Sequence, residues 1–180
     1  MATTVAVTTT YLHLPSPAHF RPATLDDPDL LVMAAREPLP SFYRFLYDAV
    51  GRGYTWVDRL GWSDAELAAH LARPATTLLV LYRRGTPAGY IELDAAPEEP
   101  DGPGTEIAYF GVIPAFHGLG LGKHLLSVGV RRAFDDGAPR VWLHTCSLDG
   151  PHALANYRAR GFLPYRTEAD EVTLPARPAG

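Results

Sequence analysis

The stretch from Thr105 to Gly137 constrains this chain more than any other part of it. A β-rich run, TEIAYFGV, passes through Ile113-Pro114-Ala115-Phe116-His117 into Gly118-Leu119-Gly120-Leu121-Gly122-Lys123, and the helical pattern LGKHLLSVGVRRAF follows and ends near Gly137. Alternating glycines let a backbone turn tightly between a strand and a helix. The turn exposes successive N–H groups and the helix N-terminus adds its partial positive charge. The segment therefore predicts a seat for a phosphate or pyrophosphate, with Lys123 as a point charge beside it.

Spacing argues against two familiar versions of such a seat. A Walker loop needs glycine where His117 stands, and a magnesium-binding Ser or Thr where His124 stands. A dinucleotide fingerprint needs G-x-G-x-x-G after the first strand of a βαβ unit, whereas here G-x-G-x-G comes late, after an antiparallel hairpin.

The surrounding pattern is a mixed sheet with helices. Residues 3–14 (TTVAVTTTYLHL) read as an edge or half-buried strand that Pro15 and Pro17 end, and residues 15–40 form a proline-rich connection. Ser41 opens a short helix closed by Gly51, and Ser63 with Glu66 at capping-box spacing opens a second. Runs 76–83 and 87–94 flank a turn at Arg84, Gly85 and Thr86 and read as an antiparallel hairpin. After the glycine turn and its helix, RVWLHTC reads as a buried strand and Pro151–Arg160 as a helix stopped by Gly161, and FLPYRTE and EVTLP as a closing strand pair. The acidic segment Glu98-Glu99-Pro100-Asp101 reads as a solvated loop.

Composition narrows the function classes. At 180 residues, 47% hydrophobic and 20% charged, the chain suits one domain with one core and is no disordered tail. A net charge of −4 and a pI near 5.9 count against nucleic acid and anionic membranes as partners, the aromatic run from Phe42 to Trp62 notwithstanding. Cys146, the single cysteine, supplies neither an internal disulfide nor a Cys-based zinc site. With no leader pattern at the N-terminus and no long apolar run, a cytoplasmic setting is expected.

Two motifs carry a resemblance. Val112, Pro114, Gly120 and Gly122 fall in the pattern V-x-P followed by [QR]-x-x-G-x-[GA], with His117 at the Gln/Arg position. Downstream, Ala153 precedes Tyr157-Arg158-Ala159-Arg160-Gly161-Phe162, which matches Y-x-x-x-G-F. On these residues, over about 76–168, the chain resembles the GNAT superfamily of acyl-CoA-dependent N-acyltransferases. The resemblance implies one α/β domain over 1–180 with a mixed sheet in the order β-α-α-β-β-β-α-β-α-β-β. Residues 1–75 are then its variable, acceptor-side half and 76–168 its acyl-CoA core.

The implied activity is transfer of an acetyl group from acetyl-CoA to a primary amine, small-molecule or peptide, by direct attack in a ternary complex without a metal; a homodimer stays open. By the same resemblance Phe110, Gly111 and Val112 pair with the pantetheine arm as an added strand. His117, Gly118, Leu119, Gly120, Leu121, Gly122 and Lys123 hold its phosphates. Asn156 stands in for an Asn that the family carries near position 150, where this chain has Leu-Asp-Gly-Pro-His over 148–152. Tyr157 is the proton donor to the leaving thiolate, since a phenol matches a thiol in basicity.

A substrate ammonium must also lose a proton, to a carboxylate or to a water chain. Glu106 and Glu92 are the candidate carboxylates, and strict alternation would set Glu106 on one face with Ala108, Phe110 and Val112. Tyr54, Trp56, Glu92 and His144 are expected at the acceptor. His144, Cys146 and His152 lie close in sequence, but one thiol with no orienting carboxylate suits neither a metal nor a Cys/His nucleophile. The rival readings are a CoA-responsive binding module without turnover, and a transferase of longer acyl groups or another carrier.

Overall fold

Strands arise here where β-branched and aromatic residues alternate between faces, and helices where apolar residues recur every third or fourth position. The computed structural model describes residues 3–54, 56–96 and 102–174. Its elements are β1 (Thr3–Leu14), β2 (Leu30–Ala34), α1 (Pro40–Gly51), α2 (Asp64–Leu71), β3 (Thr76–Arg83), β4 (Thr86–Asp94), β5 (Thr105–Val112), α3 (Leu121–Asp135), β6 (Val141–Cys146), α4 (Ala153–Ala159) and β7 (Leu163–Leu174). One sheet runs β2-β3-β4-β5-β6-β1-β7. Among the described residues, only β5 and β6 pair in parallel. This is the mixed α/β, single-domain class expected from the sequence.

Local chemistry explains the boundaries. Arg84 and Gly85 both take positive φ (50° and 80°), the requirement of a two-residue turn whose twist matches its strands. Ser63 Oγ accepts from the Glu66 N–H while the Glu66 carboxylate accepts from the Ser63 N–H, so α2 begins in a full capping box. The acidic segment at Glu98, Glu99 and Asp101 lies outside the described residues.

Three placements differ from the linear reading. Residues 30–34 are a strand inside the proline-rich connection; β2 is five residues long and pairs only with β3, too short for a visible alternation. The two closing runs are one strand, β7, because 165–172 holds no Gly, Pro or Asn to turn the chain and a long ladder to β1 keeps it extended. β1 is no edge strand: it lies between β6 and β7, antiparallel to both.

Each face of the sheet has its own core. Leu12, Leu14, Leu79, Leu81, Ile91, Ile107 and Val112 pack with Leu125, Leu126 and Val130 of α3, and with Tyr157 and Phe162. Leu78, Val80 and Tyr90 pack on the opposite face with Tyr43, Leu46, Tyr47 and Val50 of α1 and Leu67 and Leu71 of α2. The proline-rich connection straps α3 down. Ser127 Oγ accepts from the Ala23 N–H at 2.8 Å, and His124 Nδ1 accepts from the Leu25 N–H at 2.9 Å. These contacts satisfy backbone donors that proline-broken chain cannot pair in a ladder.

Candidate active site

The site begins where β5 and β6 part. They pair only at Thr105–Val141 and Glu106–Trp142. β6 then follows β1 from Val141 to Cys146, and β5 beyond Glu106 keeps β4 alone as its partner. Two strands that share a start and then diverge leave a wedge with an unpaired backbone edge along one wall. Over it lie the glycine turn and the N-terminus of α3, and the resulting cleft holds about 1020 Å³.

The glycine turn is built as the motif requires. Gly118 (φ 80°) and Gly120 (φ 74°) are left-handed, Gly120 is the N-cap of the fifteen-residue α3, and no acid stands in its first turn. His117 Nε2–H donates to the Val112 carbonyl at 2.8 Å and ties the turn to the end of β5. Gly111 is required by a close approach: a Cβ there would overlap Val50 Cγ1 of α1. Phe110, Gly111, Val112, His117, Gly118, Gly120, Leu121, Gly122 and Asn156 all line the cleft. Leu119 points outward, about half exposed. Lys123 is exposed and outside the lining, its Cε lying 3.1 Å from where a Gly120 Cβ would be.

Tyr157, on α4, is 7% exposed and reaches the cleft between Phe110 and Phe162. None of the hydrogen bonds among the described residues involves its hydroxyl. Burial, then the charge of Asp149 and nearby Tyr54, raises its pKa, so it stays a neutral phenol. Asp149 holds the turn before α4, accepting from Thr145 Oγ1 at 2.6 Å and the Cys146 N–H at 2.9 Å. Burial likewise pushes the Cys146 thiol up and keeps it protonated. Among the described residues no group of three His, Cys, Asp or Glu is placed to hold a metal ion.

The two candidate carboxylates separate. β5 carries a bulge: Tyr109 pairs with Glu92 and Ile107 with Leu93, leaving Ala108 extra. Ile107, Phe110 and Val112 therefore share the α3 face while Tyr109 packs on the α1 face. The extra residue breaks the strict alternation and puts Glu106 on the face opposite Phe110 and Val112. There its Oε1 lies 3.5 Å from His144 Nδ1, and both residues line the cleft.

Glu92 is not in the cleft. It is fully buried on the α1 side and accepts from Tyr43 Oη (2.7 Å), Arg59 Nη1 and Nη2 (3.0 and 2.9 Å) and His70 Nε2 (2.8 Å). Burial opposes its charge, but these donors outweigh that and hold its pKa below the usual carboxylate value. Acceptor binding by Glu92, expected from the sequence, is thus replaced by an internal role: it anchors the loop that carries Arg59.

That loop forms the far wall. Tyr54, Trp56, Val57, Asp58 and Arg59 line the cleft with Tyr109 of β5. Trp56 meets Tyr109 edge-on with ring centroids 5.1 Å apart, and Tyr109 Oη donates to Asp58 Oδ2 at 3.1 Å. Thr9, Val7, Val172 and Thr173 close the mouth. No linear motif marks them, because they reach the cleft only through the insertion of β1 beside β6.

Residues 41–162 match the acetyltransferase (GNAT) family model, and the chain belongs to that family of acyl-transferring proteins. Among solved structures it resembles a GCN5-related N-acetyltransferase from Kribbella flavida (TM-score 0.65, 19% identity, 97% of this chain and 61% of that one). It also resembles one from Sphaerobacter thermophilus (TM-score 0.64, 15% identity, 97% and 54%). An aminoglycoside acetyltransferase from an uncultured soil metagenomic sample shares the fold too (TM-score 0.59, 21% identity, 74% and 88%). The chain thus spans less than two thirds of the first two structures. No curated protein matches the sequence.

Proposed function

We propose that this protein transfers an acetyl group from acetyl-CoA to a primary amine by direct attack in a ternary complex. The observation that carries the reading is Tyr157: a buried, neutral phenol with no hydrogen bond among the described residues faces the cleft under a glycine turn shaped for phosphates. The cleft suits the group. The left-handed Gly118 and Gly120, the first-turn N–H groups of α3 and the open edge of β5 offer backbone hydrogen bonds. Acetyl-CoA supplies the thioester.

Glu106, or the His144 it faces, takes the proton of the substrate ammonium. The freed nitrogen lone pair then forms the N–C bond as the C–S bond breaks. Tyr157 gives its proton to the departing sulfur and regains one from the new amide nitrogen, and the proton held by Glu106 or His144 passes to solvent. In this reading 76–168 is the donor core and the segment 40–71 supplies the acceptor wall.

Calorimetric titration with acetyl-CoA, against free CoA and NAD, tests the donor. Micromolar binding of acetyl-CoA that is lost in Gly120→Glu supports the reading; a protein that binds none of them overturns it.

A further inference from the structure

We infer that the acceptor carries a second positive charge, seated at Asp58 away from the amine that reacts. The inference rests on the acyltransfer reading and deepens it. Among the described residues lining the cleft, Arg59 is the one Lys or Arg, and its charge is already met by the buried Glu92 carboxylate. Three carboxylates line the same space: Asp149, Glu106 and Asp58. Asp149 is committed to the turn before α4 through Thr145 and the Cys146 N–H. Glu106 faces His144 in the wedge between β5 and β6.

Asp58 is placed differently. It stands on the far wall, exposed, and accepts from Tyr109 Oη. That hydroxyl orients the carboxylate and leaves its charge in place. Tyr109 follows Glu106 by three residues on β5, so Asp58, held at the Tyr109 hydroxyl, and Glu106 meet the cleft from different points along the strand. Between them the wall is aromatic: Tyr54, Trp56 and Tyr109, with Trp56 and Tyr109 meeting edge-on. An aliphatic spacer fits such a wall, and aromatic faces with a carboxylate at the end suit a cation. Asp170, cross-strand from the cleft-lining Val7, carries the same sign to the mouth. The unpartnered Tyr157 hydroxyl, on a side chain more than nine-tenths buried, marks the cleft as a place for a ligand independently of its charge.

The test measures thiol release from acetyl-CoA with putrescine, n-butylamine, aminobutanol and γ-aminobutyrate as acceptors. A charge-assisted contact predicts kcat/KM for putrescine about 10-fold to 100-fold above butylamine and aminobutanol, with γ-aminobutyrate lowest. In Asp58→Asn the ratio of putrescine to butylamine falls to about one, whereas Tyr109→Phe, which keeps the carboxylate, retains a preference. Equal turnover of the four acceptors, or turnover of none by a protein that still binds acetyl-CoA, overturns the inference and leaves the donor reading standing. Absence of acetyl-CoA binding overturns the reading on which it rests.

Discussion

Arg59 and Glu92 meet through two hydrogen bonds, 3.0 and 2.9 Å long, that join a loop of the cleft wall to the centre of the sheet. Both side chains are at least nine-tenths buried, and Tyr43 and His70 complete the shell around the carboxylate. Trp62 and Tyr109 cover the Arg59 guanidinium from ring centroids 4.7 Å away. This wall of the cleft is therefore held by an ion pair out of solvent rather than by loop packing alone.

Removing one partner of such a pair leaves an uncompensated buried charge. Glu92→Gln is expected to cost about 3 kcal/mol of stability, and the double variant Glu92→Leu/Arg59→Met to recover part of it. Urea unfolding monitored by tryptophan fluorescence checks both.

The same carboxylate sets an acid limit. Its folded pKa lies below the unfolded value, so its contribution is complete above about pH 4.3 and is lost as pH falls from there through the folded pKa. Stability measured from pH 6 to 3 should fall less steeply over the acid limb in Glu92→Gln than in the parent.

Tyr157→Phe removes a hydroxyl that makes no hydrogen bond among the described residues. Folding stability and acetyl-CoA affinity should stay close to the parent, while turnover drops roughly 100-fold or more, the scale of a lost proton donor. Retained turnover would assign the proton to another group.

Gly111 faces Val50, and a methyl group at 111 overlaps it. Gly111→Ala should destabilise by about 1–3 kcal/mol, as overpacking does. A double-mutant cycle with Val50→Ala should show a favourable coupling, because the smaller side chain makes room for the added methyl.

His124 couples the strap to pH. Its Nδ1 accepts from the Leu25 N–H, and burial lowers its pKa below the ordinary histidine value. A depressed folded pKa means that the unfolded chain binds the proton first, so stability declines as pH drops below about 6.5. On acidification, amide exchange at Leu25 should slow less than base catalysis predicts, while exchange at Ala23, bonded to Ser127, should follow that prediction.

Much of this site is legible in linear order because the glycine-turn half of the cleft is local. The glycine turn, its strand and its helix are contiguous from Thr105 to Asp135, and the backbone rules that demand Gly118 and Gly120 act over a few residues. The same holds for the Ser63–Glu66 cap and the Arg84-Gly85 turn. Tyr157 is recognisable because the spacing to Gly161 and Phe162 lies within one helix and its stop.

The opposite wall of the cleft depends on contacts between distant segments. A single bulged residue, Ala108, moves Glu106 to the other face of the sheet, and periodicity cannot announce an exception to itself. Glu92 looks like any strand carboxylate until Arg59, His70 and Tyr43 converge on it from two helices and a loop. The Thr- and Val-rich composition of β1 specifies a strand, but both of its edges pair equally well with any ladder. Its place between β6 and β7, which brings Val7 and Thr9 to the cleft, is decided by which neighbours bury Leu12 and Leu14 against α3. Local backbone chemistry thus wrote the glycine turn into the chain, while the far wall of the cleft waited on long-range burial of charge and apolar surface.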